Sequence, residues 1–131
     1  MSSANSQHLM VVLSNAKPDR DAEFNDWYTS VHVVDTIDKL AGFAAAQRFE
    51  RAALPDLPPN PYRYLAIYEI PADRLETAYA HFRWQRGERA EALAAGRDPV
   101  ISVSDSIDPE HFLVGFFSPI TGRILSTRVP E

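Results

Sequence analysis

The alternation of apolar and polar residues along the chain predicts four strands and two helices. Apolar runs and period-two patterns are typical of strands, whereas apolar residues spaced by three and four predict helices. The predicted strands cover residues 9–13, 43–51, 62–70 and 111–117. The predicted helices cover about residues 19–42 and 71–95, with a bend or loosened turn in the first one after His32, where β-branched residues follow.

The order strand, helix, strand, strand, helix, strand predicts an α+β domain of the ferredoxin-like βαββαβ type. In this arrangement an antiparallel four-stranded sheet carries both helices on one face. A chain of 131 residues fits a single domain, with residues 1–7 as a loose tail and residues 118–131 as an arm. The proline-rich stretch 54–61 predicts a stiff loop, and residues 100–109 predict a lid-like loop with a short extended piece at 100–103.

The predicted elements also indicate which side chains face the core and which lie on the helix-free face of the sheet. The stripe of the second helix that faces the core is expected to contain Leu75, Ala78, Tyr79, Phe82, Ala90 and Leu93. The helix-free face of the sheet is expected to carry Tyr62, Tyr64 and Tyr68 from the third strand. The second strand is expected to add Phe43 and Phe49, or the residues that alternate with them. An apolar face of this size needs a cover, and a second copy of the chain is the simplest one.

Composition narrows the classes of function. Hydrophobic residues make up 45% of the chain, the formal net charge is −5, and there is no cysteine, so disulfides and thiolate sites are excluded. No cluster of Lys and Arg indicates nucleic acid as a partner. No apolar run has the length of a membrane span, and no signal peptide is recognised, so we expect a cytoplasmic protein without a membrane partner. A small, largely uncharged ligand fits this composition.

The segment 23–35 brings core residues and reactive residues together. At helical spacing its bulky and polar residues fall on one face: Phe24, Trp27, Tyr28, Val31, His32 and Asp35. His32 is the candidate general base or acid, since imidazole titrates near neutral pH. Tyr28 would position or protonate a substrate oxygen. Asp35 would orient the imidazole, or it is a solvated residue at the helix end.

A structural interpretation of the same segment stands beside the catalytic one. A histidine near the end of a helix complements the helix dipole and donates to a backbone carbonyl, and Tyr28 would then only pack its ring in the core. The crowding of Trp27, Tyr28, His32 and Asp35 into one row favours the catalytic interpretation.

Further candidates would bind the substrate. Phe24, Trp27, Tyr64 and Tyr68 would line an apolar pocket that suits a ring-bearing compound. Arg48 would bind a phenolate or carboxylate, or it pairs with Glu50 across the sheet. The other histidines are scattered, so we predict no metal site, and no nucleotide fingerprint indicates a cofactor.

Three stretches resemble the dimeric α+β barrel superfamily, near its EthD-like branch. They are Glu-Phe-Asn-Asp-Trp-Tyr-x-x-Val-His (residues 23–32), Gly-Phe-x-x-Ala-Gln-Arg-Phe (residues 42–49) and Tyr-Leu-Ala-Ile-Tyr-Glu-Ile (residues 64–70). The sequence departs from the family pattern after His32, where Val33, Val34 and Asp35 replace a proline-containing segment. The resemblance implies a homodimer whose two sheets face each other, with a pocket between sheet and helices in each protomer.

The resemblance leaves the reaction open, because the superfamily includes monooxygenases, cyclases, isomerases, lyases and haem peroxidases. Our first hypothesis is a cofactor-independent enzyme that acts on a small aromatic or polyketide-like compound. Proton transfer by His32 would drive a lyase step such as a retro-aldol cleavage, or an isomerase or cyclase step. The alternatives are a cofactor-free monooxygenase and a non-catalytic EthD-like protein that binds a small molecule.

Overall fold

The computed structural model describes residues 7–128 and shows an α+β fold with four strands and two helical segments. The strands are β1 (His8–Ala16), β2 (Ala45–Glu50), β3 (Tyr64–Ile70) and β4 (Ile107–Phe117). The first helical segment consists of α1 (Asp21–Trp27), a π-helical turn (Tyr28–His32) and α2 (Val33–Lys39), and the second is α3 (Leu75–Ala94). The predicted order of elements is therefore confirmed.

The four strands form one antiparallel sheet in the order β2-β3-β1-β4. Met10 lies opposite Tyr68 on β3 and Phe116 on β4, which fixes the face that each strand presents to the helices. Both helical segments pack on that face, and one core joins Met10, Tyr68 and Ile70 of the sheet to Phe24 of α1 and Ala78 of α3.

The tyrosines of β3 lie on the helix-covered face, and the prediction that they lie on the helix-free face was wrong. Tyr64 is 4% exposed and Tyr68 is 1% exposed. Phe43 is also buried in the core, and Tyr62 precedes the strand. The physical reason is that the phenol hydroxyls find partners under the helices: the hydroxyl of Tyr64 donates to the Oδ2 atom of Asp21 at 2.7 Å. Of the predicted aromatic set, Phe49 lies on the helix-free face.

Gly42 follows the first helical segment and serves the fold in two ways. Its φ angle is +98°, which L-residues rarely adopt. A Cβ atom at this position would also lie 2.7 Å from the backbone nitrogen of Ala78, so only glycine lets α3 approach the chain here. The helix itself ends earlier than predicted, at Lys39.

The stripe of α3 that faces the core differs from the prediction. Tyr79, Ala90 and Leu93 point outward, with Tyr79 48% exposed and Leu93 59% exposed. The inward stripe of α3 follows a regular alternation of three and four residues: Leu75, Ala78, Phe82, Gln85, Arg89 and Ala92. Thr77, His81 and Glu88, beside this stripe, are also partly buried. Two polar residues therefore occupy the inward stripe.

The segment before β4 is packed rather than lid-like, which corrects another prediction. Ile101 is 1% exposed and Ser106 is fully buried. No strand forms at residues 100–103, and β4 begins at Ile107, four residues before the predicted start. The strand accommodates Pro109 because β4 is an edge strand, where one side of the backbone needs no ladder partner.

Residues 1–6 of the predicted tail and residues 129–131 of the predicted arm lie outside the described residues. Residues 118–128 form neither helix nor strand, and Ile120 is 98% exposed. Among the described residues, none of the helices combines the length and the apolar character that a membrane crossing requires.

Candidate functional site

A cavity of about 320 Å³ lies between the sheet and the helices. Its floor is formed by helix-facing side chains of the sheet: Met10, Val12, Tyr68 and Val114. The first wall comes from the π-turn and α2: Tyr28, His32, Thr36 and Leu40. The second wall comes from α3: Phe82, Gln85, Arg86 and Arg89. Phe112 and Leu113 of β4 complete the lining.

The π-helical turn places Tyr28 and His32 side by side on the first wall. The backbone N–H of Val33 donates to the carbonyl of Tyr28, five residues earlier, so this turn is wider than an α-turn. The ring centroids of Tyr28 and His32 lie 5.0 Å apart in an edge-on contact. The hydroxyl of Thr36 donates to the carbonyl of His32 at 2.8 Å. The predicted loosened turn thus exists, but it ends at His32 instead of following it.

Ser102 holds the imidazole in place. The Nδ1 atom of His32 lies 3.1 Å from the carbonyl oxygen of Ser102, and because a carbonyl only accepts, Nδ1 carries the proton. The indole N–H of Trp27 donates to the Oγ atom of Ser102 at 2.9 Å, and the indole stacks on the imidazole with 4.7 Å between centroids. The Nε2 atom of His32 is left without a protein partner among residues 7–128.

Burial lowers the pKa of His32 to about 4, from an ordinary value of 6.5. The positive charge of Arg89 also lowers this pKa, whereas the Ser102 carbonyl and the charge of Asp35 raise it. His32 is therefore neutral at pH 7. A neutral imidazole with the proton on Nδ1 presents the lone pair of Nε2, which is the form that a general base requires.

Tyr28 lies beside this imidazole and is 2% exposed. Its pKa is raised well above the usual range, first by burial and then by the neighbouring hydroxyl of Tyr68. The guanidinium of Arg48 lies over the Tyr28 ring, with Cζ 4.4 Å from the centroid, and opposes this rise. Tyr28 is thus a protonated phenol at neutral pH and a hydrogen-bond donor.

Asp35 does not contact the imidazole, which corrects the expectation that it orients the ring. Its Oδ1 atom pairs with the ammonium of Lys39 at 3.4 Å, and its Oδ2 atom accepts from the backbone N–H of Ser102 at 3.5 Å. His32 and Asp35 therefore bind opposite backbone groups of the same residue. Asp35 acts on the imidazole only through Ser102 and through its charge.

Of the predicted substrate-binding residues, the structure places Tyr68 in the cavity and the others outside its lining. Phe24 is fully buried in the core, and Tyr64 accepts a hydrogen bond from Asn25 at 3.1 Å and donates to Asp21. The indole of Trp27 stacks on the imidazole of His32.

Arg48 does not pair with Glu50, which corrects one of the two expectations for this residue. Its guanidinium donates to the Oγ1 atom of Thr29 and to the Oδ1 atom of Asn25, both at 2.9 Å. Glu50, its expected partner, instead pairs with Arg63 at 2.8 Å. Burial lowers the pKa of Arg48. Its structural role is to support the ring of Tyr28 from outside the cavity.

The polar residues of α3 and Ser102 were missed by sequence reasoning. The sequence did indicate that polar residues of α3 face the core. The alternation of three and four residues that begins at Leu75 and Ala78 continues through Gln85 and Arg89. No signal existed for Ser102, since its contribution to His32 is a backbone carbonyl.

The other histidines have structural partners outside the cavity. His81 accepts from the backbone N–H of Ala41 at 3.2 Å, and His111 pairs with Asp108 at 2.8 Å. His8 contacts the hydroxyl of Ser118. Within residues 7–128, no group of three or more histidine and carboxylate side chains is placed to hold a metal ion.

The comparisons with known proteins give evidence about the fold and not about the activity. No family model matches the sequence, and no curated protein matches it. The chain is similar to a solved structure of an ethyl tert-butyl ether d (EthD) family protein from Bacillus halodurans c-125, with a TM-score of 0.53 and 13% sequence identity. The match covers 85% of this chain and 95% of that chain. This likeness supports the resemblance to EthD-like proteins at the level of the fold.

Proposed function

We propose that this protein is a cofactor-independent enzyme in which His32 transfers a proton to and from a small aromatic substrate. One observation carries the proposal: a neutral imidazole lies in the wall of a cavity, with Nδ1 bound to Ser102 and Nε2 unpartnered among residues 7–128. Nδ1 fixes the orientation of the ring, and Nε2 is left to interact with a molecule in the cavity.

The remaining lining suits a ring-bearing compound. Aromatic and aliphatic side chains make up most of the lining, and the phenol of Tyr28 lies next to His32. Tyr28 would donate a hydrogen bond to a substrate oxygen while Nε2 of His32 removes a proton. The two groups belong to the same π-turn, so their separation is fixed before the substrate arrives.

A retro-aldol cleavage uses these groups and needs no other reactant. Nε2 of His32 takes the proton of the substrate hydroxyl, and the O–H electron pair forms a carbonyl. The adjacent carbon–carbon bond breaks, and its electrons pass into the conjugated ring system. The imidazolium then returns the proton to that system, so that two neutral products form and His32 is restored. An isomerase or cyclase step would use the same base with removal of a C–H proton.

The test is incubation of the protein with a panel of β-hydroxy aromatic ketones under air and under nitrogen, followed by mass spectrometry. We expect two carbonyl products whose masses sum to that of the substrate, at equal rates in both atmospheres. Oxygen uptake with an oxygenated product would instead establish a monooxygenase. Binding of panel compounds without any product would establish a non-catalytic binding protein.

The proposal includes a homodimer joined through the helix-free face of the sheet. The register places Leu13, Leu65, Phe49 and Leu113 in one row across that face, and Val11 and Ile67 in the next. Phe49 is 40% exposed, Leu113 is 53% exposed and Phe117 is 58% exposed. A mostly apolar face of four strands is self-complementary across a two-fold axis, which supports a second copy as its cover.

Light scattering on the intact chain tests the dimer. We expect twice the monomer mass for the wild type and the monomer mass for Ile67→Glu, which puts a charge at the centre of the face. The control is Leu93→Glu on the outer side of α3, where Leu93 is 59% exposed. A monomeric wild type, or equal masses for the two variants, would remove the dimer from the proposal.

A further inference from the structure

The second wall of the cavity contains an amide that has no hydrogen-bond partner among residues 7–128. Gln85 is 7% exposed and lines the cavity from the middle of α3. Its side chain makes no hydrogen bond to any other residue in the range 7–128. Among residues 7–128, the side-chain polar atoms that are both inaccessible and unpaired are Oε1 of Gln7 and Nε of Arg48. The unpaired amide of Gln85 therefore reaches the accessible space of the cavity. The amide is placed to bind a molecule in the cavity.

Two arginines flank this amide, and neither pairs with a carboxylate among the described residues. Arg86 contacts the Phe82 ring, with Cζ 5.7 Å from the centroid, and Arg89 follows one turn after Gln85. Burial and the charge of Arg86 lower the pKa of Arg89, so its positive charge lacks compensation.

Three arginines outside the cavity pair with carboxylates. Arg20 binds Glu23 and Asp105, Arg63 binds Asp21 and Glu50, and Arg97 binds Glu88. The protein has an acidic net charge of −5, so carboxylates are not scarce. Arg48, Arg51 and Arg83 also lack a carboxylate partner within residues 7–128, but they lie outside the cavity. Arg86 and Arg89 line the cavity, so their free positive charge makes this wall a place for an anion that arrives from outside.

We propose that Gln85, Arg86 and Arg89 form a carboxylate-binding subsite, so that the molecule this cavity accepts is a small aromatic carboxylate. The inference deepens the proposed function and rests on it for the cavity being the substrate site. A carboxylate has two oxygens that match the planar fork of a guanidinium, and a free lone pair remains for the amide N–H of Gln85.

The subsite lies opposite the proton-transfer group, and the two are electrostatically coupled. The charge of Arg89 acts on the imidazole of His32 across the cavity. A substrate held by its carboxylate on α3 would extend its ring over Tyr68 and Met10 toward His32. A cavity of about 320 Å³ lies at the lower end of ligand pockets and suits a single-ring compound.

The first experiment uses the wild-type protein and three probes of similar shape: benzoate, benzamide and phenyl phosphate. Calorimetry at pH 7 and constant ionic strength would measure each affinity. We expect benzoate to bind about 10- to 100-fold more tightly than neutral benzamide, since charged hydrogen bonds are the stronger ones. Equal affinities for benzoate and benzamide would overturn the inference. Tighter binding of phenyl phosphate than of benzoate would overturn the choice of carboxylate.

The second experiment locates the bound carboxylate with variants of α3. Arg89→Gln should reduce benzoate affinity at least about 10-fold and leave benzamide affinity unchanged. The matched control is Arg83→Gln, an exposed arginine on the same helix whose guanidinium contacts only the Tyr79 ring among residues 7–128. Arg83→Gln should bind benzoate as the wild type does. Equal benzoate affinities for the two variants would place the anion elsewhere and overturn the subsite.

A third readout separates this inference from the proposed catalysis. In wild-type protein, bound benzoate should raise the pKa of His32 measured by NMR, because a negative charge then lies in the same cavity, and Arg89→Gln should abolish this effect. Benzoate binding with these features but without turnover of any aromatic acid would leave the subsite standing and refute the catalysis. Turnover that is insensitive to Arg89→Gln, together with an unchanged His32 pKa, would refute the subsite and leave the catalysis standing.

Discussion

The two walls of the cavity differ in whether hydrogen bonds within the protein fix the orientation of their polar side chains. Behind the first wall, Trp27, His32 and Asp35 all bind Ser102, so the residue that accepts from the imidazole is itself held by two further hydrogen bonds. On the second wall, Gln85 and Arg89 make no hydrogen bond within the described residues.

This difference assigns a separate task to each wall. A group that transfers a proton must be held in one orientation, and the interactions that hold it exclude others. A group that recognises a charged ligand must keep its donors free until the ligand arrives. The first wall therefore has the properties of a reaction site, and the second wall has the properties of a recognition site.

The largest expected effect comes from removing the imidazole. His32→Ala should lower turnover about 10²- to 10⁴-fold, because it deletes the proton-transfer group. The free energy of unfolding should fall by only about 1 kcal/mol, which corresponds to the lost hydrogen bond to Ser102. Turnover and thermal melting would be measured on the same sample.

His81→Ala is the matched control, since His81 lies on α3 outside the cavity and accepts from the backbone N–H of Ala41. We expect a loss of about 1–3 kcal/mol in stability with unchanged turnover, because a backbone donor loses its partner. A His32→Ala protein that is destabilised yet active would show that His32, like His81, is structural.

The pH dependence of stability gives the next largest effect. The folded-state pKa of His32 is about 4, below the unfolded value of 6.5, so the unfolded chain binds more protons between these values. The stability contributed by neutral His32 is present above pH 6.5 and is lost as pH falls toward 4. Wild type should lose roughly 3 kcal/mol more than His32→Gln over this interval in urea titrations. Parallel curves for the two proteins would contradict the buried, neutral imidazole.

Tyr28→Phe should have the smallest of these effects, a decrease of about 10²-fold in turnover with the fold retained. The ring keeps its contacts with His32 and Arg48, and only the hydroxyl is lost. Tyr64→Phe is the matched control, because it removes a buried hydroxyl that binds Asp21 outside the cavity. It should cost about 1 kcal/mol of stability and leave turnover unchanged. Equal activity of the two variants would assign Tyr28 to the core.

The fold was predictable because its signals are local. The apolar run in β1, the alternation in β3 and the turn residues between elements each act over a few positions. What the sequence did not reveal was which face of β3 the helices cover, since alternation defines two faces without ranking them. Tyr64 and Tyr68 were assigned to the wrong one, because the partners of their hydroxyls come from distant elements.

Only the first wall of the cavity, which contains Tyr28 and His32, could be predicted from the sequence. Tyr28 and His32 are four residues apart in one helical segment, so their proximity follows from helix geometry. Ser102 lies 70 residues away from His32 and acts through its backbone, which no sequence pattern marks. The expectation of a largely uncharged ligand rested on the net charge of −5, an average that hides the positive charge of Arg86 and Arg89.

The tautomer and charge of His32 test the central claim most directly. Two-dimensional ¹⁵N NMR of the imidazole, with His32 identified by its absence in His32→Gln, would measure both. We predict a neutral ring at pH 7 with the proton on Nδ1, bound to the Ser102 carbonyl, and with Nε2 unprotonated. A ring protonated at Nε2 at this pH, as the neutral Nε2–H tautomer or as imidazolium, has no lone pair there to accept a substrate proton. Either of those results would contradict the account.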